Sequence, residues 1–214
     1  MALRARGESR AWWTHGWGLC LGLSLLSVAV CSGSLVGGGE EAIRRLVRNS
    51  ARFSAAYFLL AFCASSFLTL SPGSRAAWLR ANRRSFGVAF AASQTVHLAG
   101  LFALGAYHPD PFVTGLDALT LLGGGLAYAF TYAMAFTSTD AAVRRLGRSR
   151  WTLLHRLGAW FIWFIFLRTY TLGALAGEAG RVGPASLFWA ALAVRLAAFW
   201  VNRRDRRAPR ASTA

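Results

Sequence analysis

Two histidines, His97 and His155, lie within long apolar stretches of the chain. An ionisable side chain at such a position inside a membrane usually has a function. His97 falls near the middle of the third stretch, with Gln94 one turn before it, and His155 falls early in the fifth. The other histidines, His15 and His108, lie near predicted helix ends and are interpreted as interfacial.

A pair of histidines on different helices of a bundle is the arrangement that a b-type haem needs. The iron takes one imidazole nitrogen on each face of the porphyrin, and the bundle core supplies a dry slot. His97 and His155 are therefore the predicted ligands of the haem iron. In a structural alternative, His97 bonds another helix and His155 anchors the cytoplasmic end of its own. A third possibility is one haem with a single histidine and an open or unusual second ligand.

Two arginines, Arg168 and Arg195, also lie inside predicted spans. A charge at the bilayer centre costs roughly 2.5–3.5 kcal/mol on insertion scales. Arg168 lies near the outer end of its span, and Asp117 lies at the same end of the fourth span. An ion pair with Asp117, snorkelling to the interface or contact with a haem propionate would stabilise the charge of Arg168. Arg195 lies deeper and has no obvious acidic partner in the sequence. This position predicts that Arg195 binds an anionic headgroup or a cofactor carboxylate.

Six apolar stretches position these residues, and each is long enough to cross a membrane. About 20 helical residues span a hydrocarbon core of about 30 Å, whereas barrel strands are about ten residues long and alternate in polarity. Lipid offers no hydrogen-bond partners, so such long, non-alternating runs must be helices. The predicted fold is an all-α integral membrane protein, a six-helix transmembrane bundle. Its spans are roughly Trp12–Val36, Phe53–Leu70, Phe86–Tyr107, Gly115–Ser138, Thr152–Leu175 and Ala185–Val201.

The distribution of arginine predicts that both termini are cytoplasmic, because cytoplasmic loops are enriched in basic residues. Residues 1–11 form a basic cytoplasmic N-terminus, 12–201 the transmembrane domain and 202–214 a basic cytoplasmic tail. The first outer loop is the exception, since its segment from Glu40 to Arg52 is basic and is expected to lie on the membrane surface. The first span has a basic flank but is too long for a typical signal peptide, so it is predicted to be an uncleaved helix.

The net charge of +16 does not indicate nucleic-acid binding. The arginines sit in short clusters between the spans and do not follow one continuous basic surface. The loops are also too short for a soluble domain, so the chain has no predicted flavin or nicotinamide site. Cys20, Cys31 and Cys63 lack the spacing of metal ligands and are interpreted as packing residues.

Two sequence blocks resemble the ferric reductase-like transmembrane domain family. The first is Asn82–Gly87 leading to His97, and the second runs from Thr137 through Arg144–Gly147 to His155. The resemblance covers roughly residues 40–170 and is closest to shorter members without flavin and nicotinamide domains, such as the haem-binding membrane subunit of the methionine sulfoxide reductase system. It implies six helices, haem b held by histidines of the third and fifth helices, and electron transfer across a membrane. The implied partners are a quinol or flavoprotein donor and a separate acceptor protein. Independently of the resemblance, the positive-inside pattern and the use of arginine as the only basic residue apart from histidine are compatible with a bacterial inner membrane.

The chain departs from the family at one position of the fifth helix. Members usually carry a second histidine some thirteen residues after the first, and that position here is about Arg168 or Thr169. From the predicted helix starts, His97 and His155 are offset by about 14 Å along the membrane normal. The leading hypothesis is a haem b electron-transfer subunit, at most the membrane component of an oxidoreductase. The rival hypothesis is a haem-free relative that acts as a membrane scaffold or small-molecule-binding protein.

Overall fold

A computed structural model describes residues 16–109 and 118–207 of the chain, and eight α-helices account for most of them. Six of these helices are long and apolar enough to cross a membrane, which confirms the predicted all-α six-span fold. The other two, of eight and seven residues, are short connections. The helices are α1 Gly16–Gly33, α2 Gly39–Leu70, α3 Ser74–Ala81, α4 Arg83–Tyr107, α5 Ala118–Phe136, α6 Asp140–Leu146, α7 Arg148–Leu175 and α8 Val182–Arg207.

The spans alternate in direction, so one end of the bundle collects most of the arginines. At this end α2, α5 and α8 finish, and α4 and α7 begin; it is called the arginine-rich end below. The positive-inside rule predicts that this end faces the cytoplasm. Helix α8 continues to Arg207, so the first residues of the predicted tail are helical.

The segment expected to lie on the membrane surface is instead the beginning of α2. Its acidic residues Glu40 and Glu41 lie in the first helical turn, where negative charge is favourable. Glu40 pairs with Arg44 at 2.5 Å and Glu41 pairs with Arg48. Ion pairs one or two turns apart support a helix through this charged stretch, so α2 is one continuous helix of 32 residues.

Helices α2 and α4 pack closely over much of their length, and a glycine makes this approach possible. A Cβ atom added to Gly100 would lie 2.5 Å from Leu46 Cδ2 and 2.8 Å from Val47 Cγ2. Lipid tails are as apolar as the helices, so close van der Waals contact, not exclusion of water, holds such a pair together. Gly87, on the same helix, has open space around its Cα.

A cluster of aromatic side chains fills the centre of the bundle between α2, α4, α7 and α8. Phe58 contacts Phe90 at 5.5 Å, Phe166 at 5.8 Å and Phe188 at 6.2 Å between ring centroids. Tyr170 stacks on Phe188 at 5.7 Å. Phe188 is completely buried. One ring from each of four helices therefore meets at the same depth, which fixes the level of these helices relative to one another.

We predict that Gly100→Ala destabilises the protein by about 1–3 kcal/mol, the usual cost of overpacking a tight interface. The added methyl group must push Leu46 or Val47 away from α4. Gly87→Ala is the matched control on the same helix and should be neutral or slightly stabilising. Thermal unfolding of the purified variants in one detergent measures both effects, and equal melting temperatures would contradict the close approach.

Candidate functional site

His97 lies in the half of the bundle away from the arginine-rich end and bonds α4 to α2. Its Nδ1 lies 3.0 Å from the carbonyl oxygen of Val47 and 3.1 Å from Ser50 Oγ. A carbonyl oxygen can only accept, so Nδ1 carries the proton and donates it. The other ring nitrogen, Nε2, is therefore the one with the lone pair.

Buried serines extend the polar contact of His97 along the interface between α2 and α4. Ser54 donates to Ser93 Oγ at 3.0 Å, and Ser93 donates to the carbonyl oxygen of Ser50 at 3.1 Å. Ser50 itself donates to the carbonyl oxygen of Leu46 at 2.8 Å. Small side chains with internal partners allow two helices to approach closely inside lipid. His97 thus belongs to a seam of polar contacts that joins two spans.

His155 belongs to a different contact, at the arginine-rich end, between α7 and the end of α5. Its Nε2 lies 3.1 Å from Thr137 Oγ1. Thr137 uses its own hydroxyl proton to donate to the carbonyl oxygen of Ala133 at 2.6 Å, so the histidine Nε2–H is the donor in this pair. Trp151 stacks on the imidazole at 4.2 Å, and its Nε1 donates to the carbonyl oxygen of Thr137 at 2.9 Å.

The two histidines lie at different levels, and hydrogen bonds across α5 measure the offset. Thr95 on α4 contacts Tyr132 on α5 at 3.2 Å between hydroxyl oxygens. His97 is two residues further from the arginine-rich end than Thr95, and Thr137 is five residues nearer to it than Tyr132. At 1.5 Å of rise per residue, the imidazoles are offset by roughly 10 Å along the bundle.

In these positions the two imidazoles do not fit opposite faces of a single porphyrin. Ligands of one iron must be nearly level, and the contacts across α5 place these two imidazoles at different levels. The space between α4 and α7 is also filled, because the ring of Phe90 contacts that of Phe166 at 6.2 Å. The structure therefore does not bring the two predicted ligands together.

Arg195 lies on the face of α8 that packs into the bundle, between the buried residues Ala191 and Ala198. Its Nη1 donates to the carbonyl oxygen of Phe62 at 2.6 Å. The guanidinium carbon lies 4.1 Å from the ring centre of Phe62 and 4.9 Å from that of Trp160. These neutral partners hold the cation by cation–π attraction and one hydrogen bond. Within the described residues, no carboxylate lies within salt-bridge distance of Arg195.

Arg83 and Arg84 are neighbours in sequence but have different surroundings. Arg84 donates to Asp140 at 2.6 Å, which joins the start of α4 to the start of α6. This hydrogen bond lowers the pKa of Asp140, so the carboxylate stays ionised at neutral pH and neutralises Arg84. Arg83 begins α4 and is exposed.

The remaining predicted site residues are placed as follows. Arg168 lies on α7 and is partly buried, while its predicted partner Asp117 lies outside the described residues. The three cysteines are buried free thiols. Across residues 16–109 and 118–207, His, Cys, Asp and Glu side chains form no group of three that could hold a metal ion.

Sequence reasoning missed two features of these sites. One is the serine seam beside His97, for which the signal was a set of isolated serines: Ser54 and Ser93 lie inside predicted spans, and Ser50 lies just before one. The other is the contact of Arg195 with Phe62 and Trp160. Phe62 is 133 positions away in the sequence, so only the packing of the helices brings it to Arg195.

Comparison of the chain with family models, with curated proteins and with solved structures finds no match. The resemblance to the ferric reductase-like domain therefore stays a prediction that depends on the two sequence blocks that suggested it.

We predict that Thr137→Val destabilises the protein by about 1–3 kcal/mol, because it leaves the Nε2–H of His155 without an acceptor inside the bundle. Thr152→Val is the control, since that hydroxyl bonds only the carbonyl oxygen of Arg148 on its own helix. Thermal unfolding in detergent provides the measurement. An equal decrease in melting temperature in both variants would show that the hydrogen bond between His155 and Thr137 does not stabilise the protein.

Proposed function

We propose that the chain is a haem-free six-helix membrane protein that acts as a binding scaffold inside the bilayer. The observation that carries this proposal is the hydrogen bonding of the two histidines. His97 joins α4 to α2, and His155 joins α7 to α5, at levels roughly 10 Å apart. Each imidazole thus has a structural partner on another helix.

The filled bundle centre supports the same proposal. A porphyrin between α4 and α7 would have to displace the rings of Phe90 and Phe166, which pack against Phe58 and Phe188. Close-packed aromatic groups lose many contacts when they separate, and nothing in the surrounding lipid replaces them specifically. In this proposal the aromatic cluster sets a rigid frame, and binding takes place at the edges of the bundle.

A haem b electron-transfer subunit is the second proposal, and one observation favours it. The Nδ1–H of His97 donates to a backbone carbonyl, which leaves Nε2 able to bind a metal, as histidine ligands commonly do. In that case His97 would be the single histidine ligand. A quinol or flavoprotein would be the electron donor, and a separate protein the acceptor.

The absorption spectrum distinguishes the two proposals. We predict that protein expressed with haem supplied, and purified in mild detergent, has no Soret band in stoichiometric amount either before or after dithionite reduction. His97→Ala should lower the melting temperature, because Val47 and Ser50 lose a hydrogen-bond donor, without changing the spectrum.

A Soret band that shifts on reduction would contradict the haem-free proposal. Its loss in His97→Ala but not in His155→Ala would establish the single-ligand arrangement. His155→Ala is the matched control. It also removes a histidine from a span, but it leaves the contact of His97 with Val47 intact.

We further propose that the protein resides in a bacterial inner membrane. The arginine bias between the two ends supports this location, since cytoplasmic loops of such membranes are enriched in basic residues. The six spans themselves indicate a multi-pass integral membrane protein.

A further inference from the structure

We propose that a basic cleft at the start of α7 binds the headgroup of an anionic phospholipid, whose acyl chains lie along the apolar side of the same helix. The cleft has a volume of about 550 Å³ and is lined by Arg148, Ser149, Thr152, Leu153 and Arg156. It is called the α7 cleft below. The inference rests on the binding scaffold proposed above, for which it names a ligand class.

The residues of the α7 cleft share one side of the helix. Arg148, Thr152 and Arg156 follow one another at intervals of one turn, and Ser149 and Leu153 lie beside them, so all five fall within an arc of about 140°. The two arginines are about 12 Å apart along the helix axis, and both are exposed. Their long side chains can therefore reach a single phosphate group that lies between them.

The two arginines of the cleft have no carboxylate partner within the described part of the chain. Asp140, at the start of the preceding helix, pairs with Arg84, and neither Arg148 nor Arg156 forms an ion pair there. Guanidinium groups bind phosphate oxygens through two parallel N–H donors. Because Arg148 begins α7, the positive end of the helix dipole adds to the attraction of an anion. The α7 cleft thus has the charge that complements a phosphate group.

The length of α7 places this charge at the depth of the lipid headgroups. The helix has 28 residues and is about 42 Å long, whereas a hydrocarbon core is about 30 Å thick. When its exposed apolar end at Leu175 lies at the boundary of the core, about the first eight residues of α7 extend into the headgroup layer at the arginine-rich end. Arg148 then lies among the headgroups and Arg156 at the edge of the hydrocarbon. A phosphate between them is at its usual depth in a phospholipid.

An apolar surface for the acyl chains continues directly from the cleft. Leu153 lines the cleft, and Leu157 and Phe164 follow within about 40° of it on the same side of α7. These three side chains are 56%, 53% and 52% exposed. A soluble anion gains nothing from such a surface, whereas an acyl chain contacts it along its length. A basic site that continues into an apolar strip therefore favours an anionic lipid, the class of ligand that basic segments at cytoplasmic membrane surfaces attract.

Native mass spectrometry of the full-length protein, titrated with phosphatidylglycerol in detergent, tests the proposal. We expect Arg148→Gln and Arg156→Gln each to weaken phosphatidylglycerol binding by about tenfold, because each removes one charge-assisted interaction. Arg150→Gln is the matched control, since it removes the same charge from the same turn of α7 but does not line the cleft. It should change the affinity by less than about twofold, because salt screens exposed charges. All three arginines are exposed, so we expect the variants to fold as the wild type does.

Two further ligands test whether an anionic lipid is recognised. Phosphatidylcholine carries the same phosphate but no net charge, and we expect the wild type to bind it about tenfold more weakly than phosphatidylglycerol. Millimolar inorganic phosphate should leave phosphatidylglycerol bound, because phosphate makes no contact with Leu157 or Phe164. Displacement by phosphate would show that the acyl chains contribute nothing and would overturn the assignment to a lipid.

The three arginine variants decide whether the α7 cleft is a site. Equal phosphatidylglycerol binding by the wild type, Arg148→Gln and Arg156→Gln would overturn the proposal. Weakening of the same size in Arg150→Gln would also overturn it, because it would show a diffuse attraction to the whole basic surface. A Soret band would contradict the haem-free scaffold without changing this titration, so the failure of one proposal is distinguishable from the failure of the other.

Discussion

Lipid offers no hydrogen bonds, and this constraint explains most of the polar contacts in the bundle. Serine and threonine hydroxyls inside the spans donate to carbonyl oxygens one turn earlier, as Ser24 and Thr131 do. Where a hydroxyl or imidazole reaches further, it joins two helices: Ser27 donates to Tyr57 between α1 and α2, and His97 donates to Val47 between α4 and α2. Each of these contacts fixes the position of one helix along its neighbour. Polar side chains therefore determine the register between helices, which the apolar surfaces that face lipid cannot determine.

The register in turn decides what the two histidines can do together. The sequence predicted an offset of about 14 Å between them from estimated helix starts, and the contacts across α5 give roughly 10 Å in the same direction. An offset of this size separates the imidazoles by nearly two helical turns. The aromatic cluster around Phe58 and Phe188 lies among the same helices, and its packed rings hold them at these levels. A haem shared by both histidines would require the register and the core to change together.

Span length and polarity made the six-helix fold predictable, because the requirement to cross about 30 Å of hydrocarbon leaves few alternatives. The beginning of α2 was not predictable from hydropathy, since its charges are compensated locally by the pairs Glu40–Arg44 and Glu41–Arg48. The ring nitrogen that carries the proton in each histidine could not be predicted from the sequence either. Which ring nitrogen of His155 carries the proton depends on Thr137, whose own proton is used within α5. Such a chain of donors can be assigned only when the neighbouring helix is in place.

The contrast between Arg84 and Arg195 shows two ways in which the bundle accommodates an arginine. Arg84 lies at the start of α4 and reaches Asp140, and the two form a neutral pair that closes the connection between α4 and α6. Arg195 lies deeper, and its described partners are a carbonyl oxygen and two aromatic rings. Aromatic rings attract a cation but leave its net charge in place. Among the described residues, neutral groups therefore stabilise the charge of Arg195, whereas a carboxylate neutralises that of Arg84.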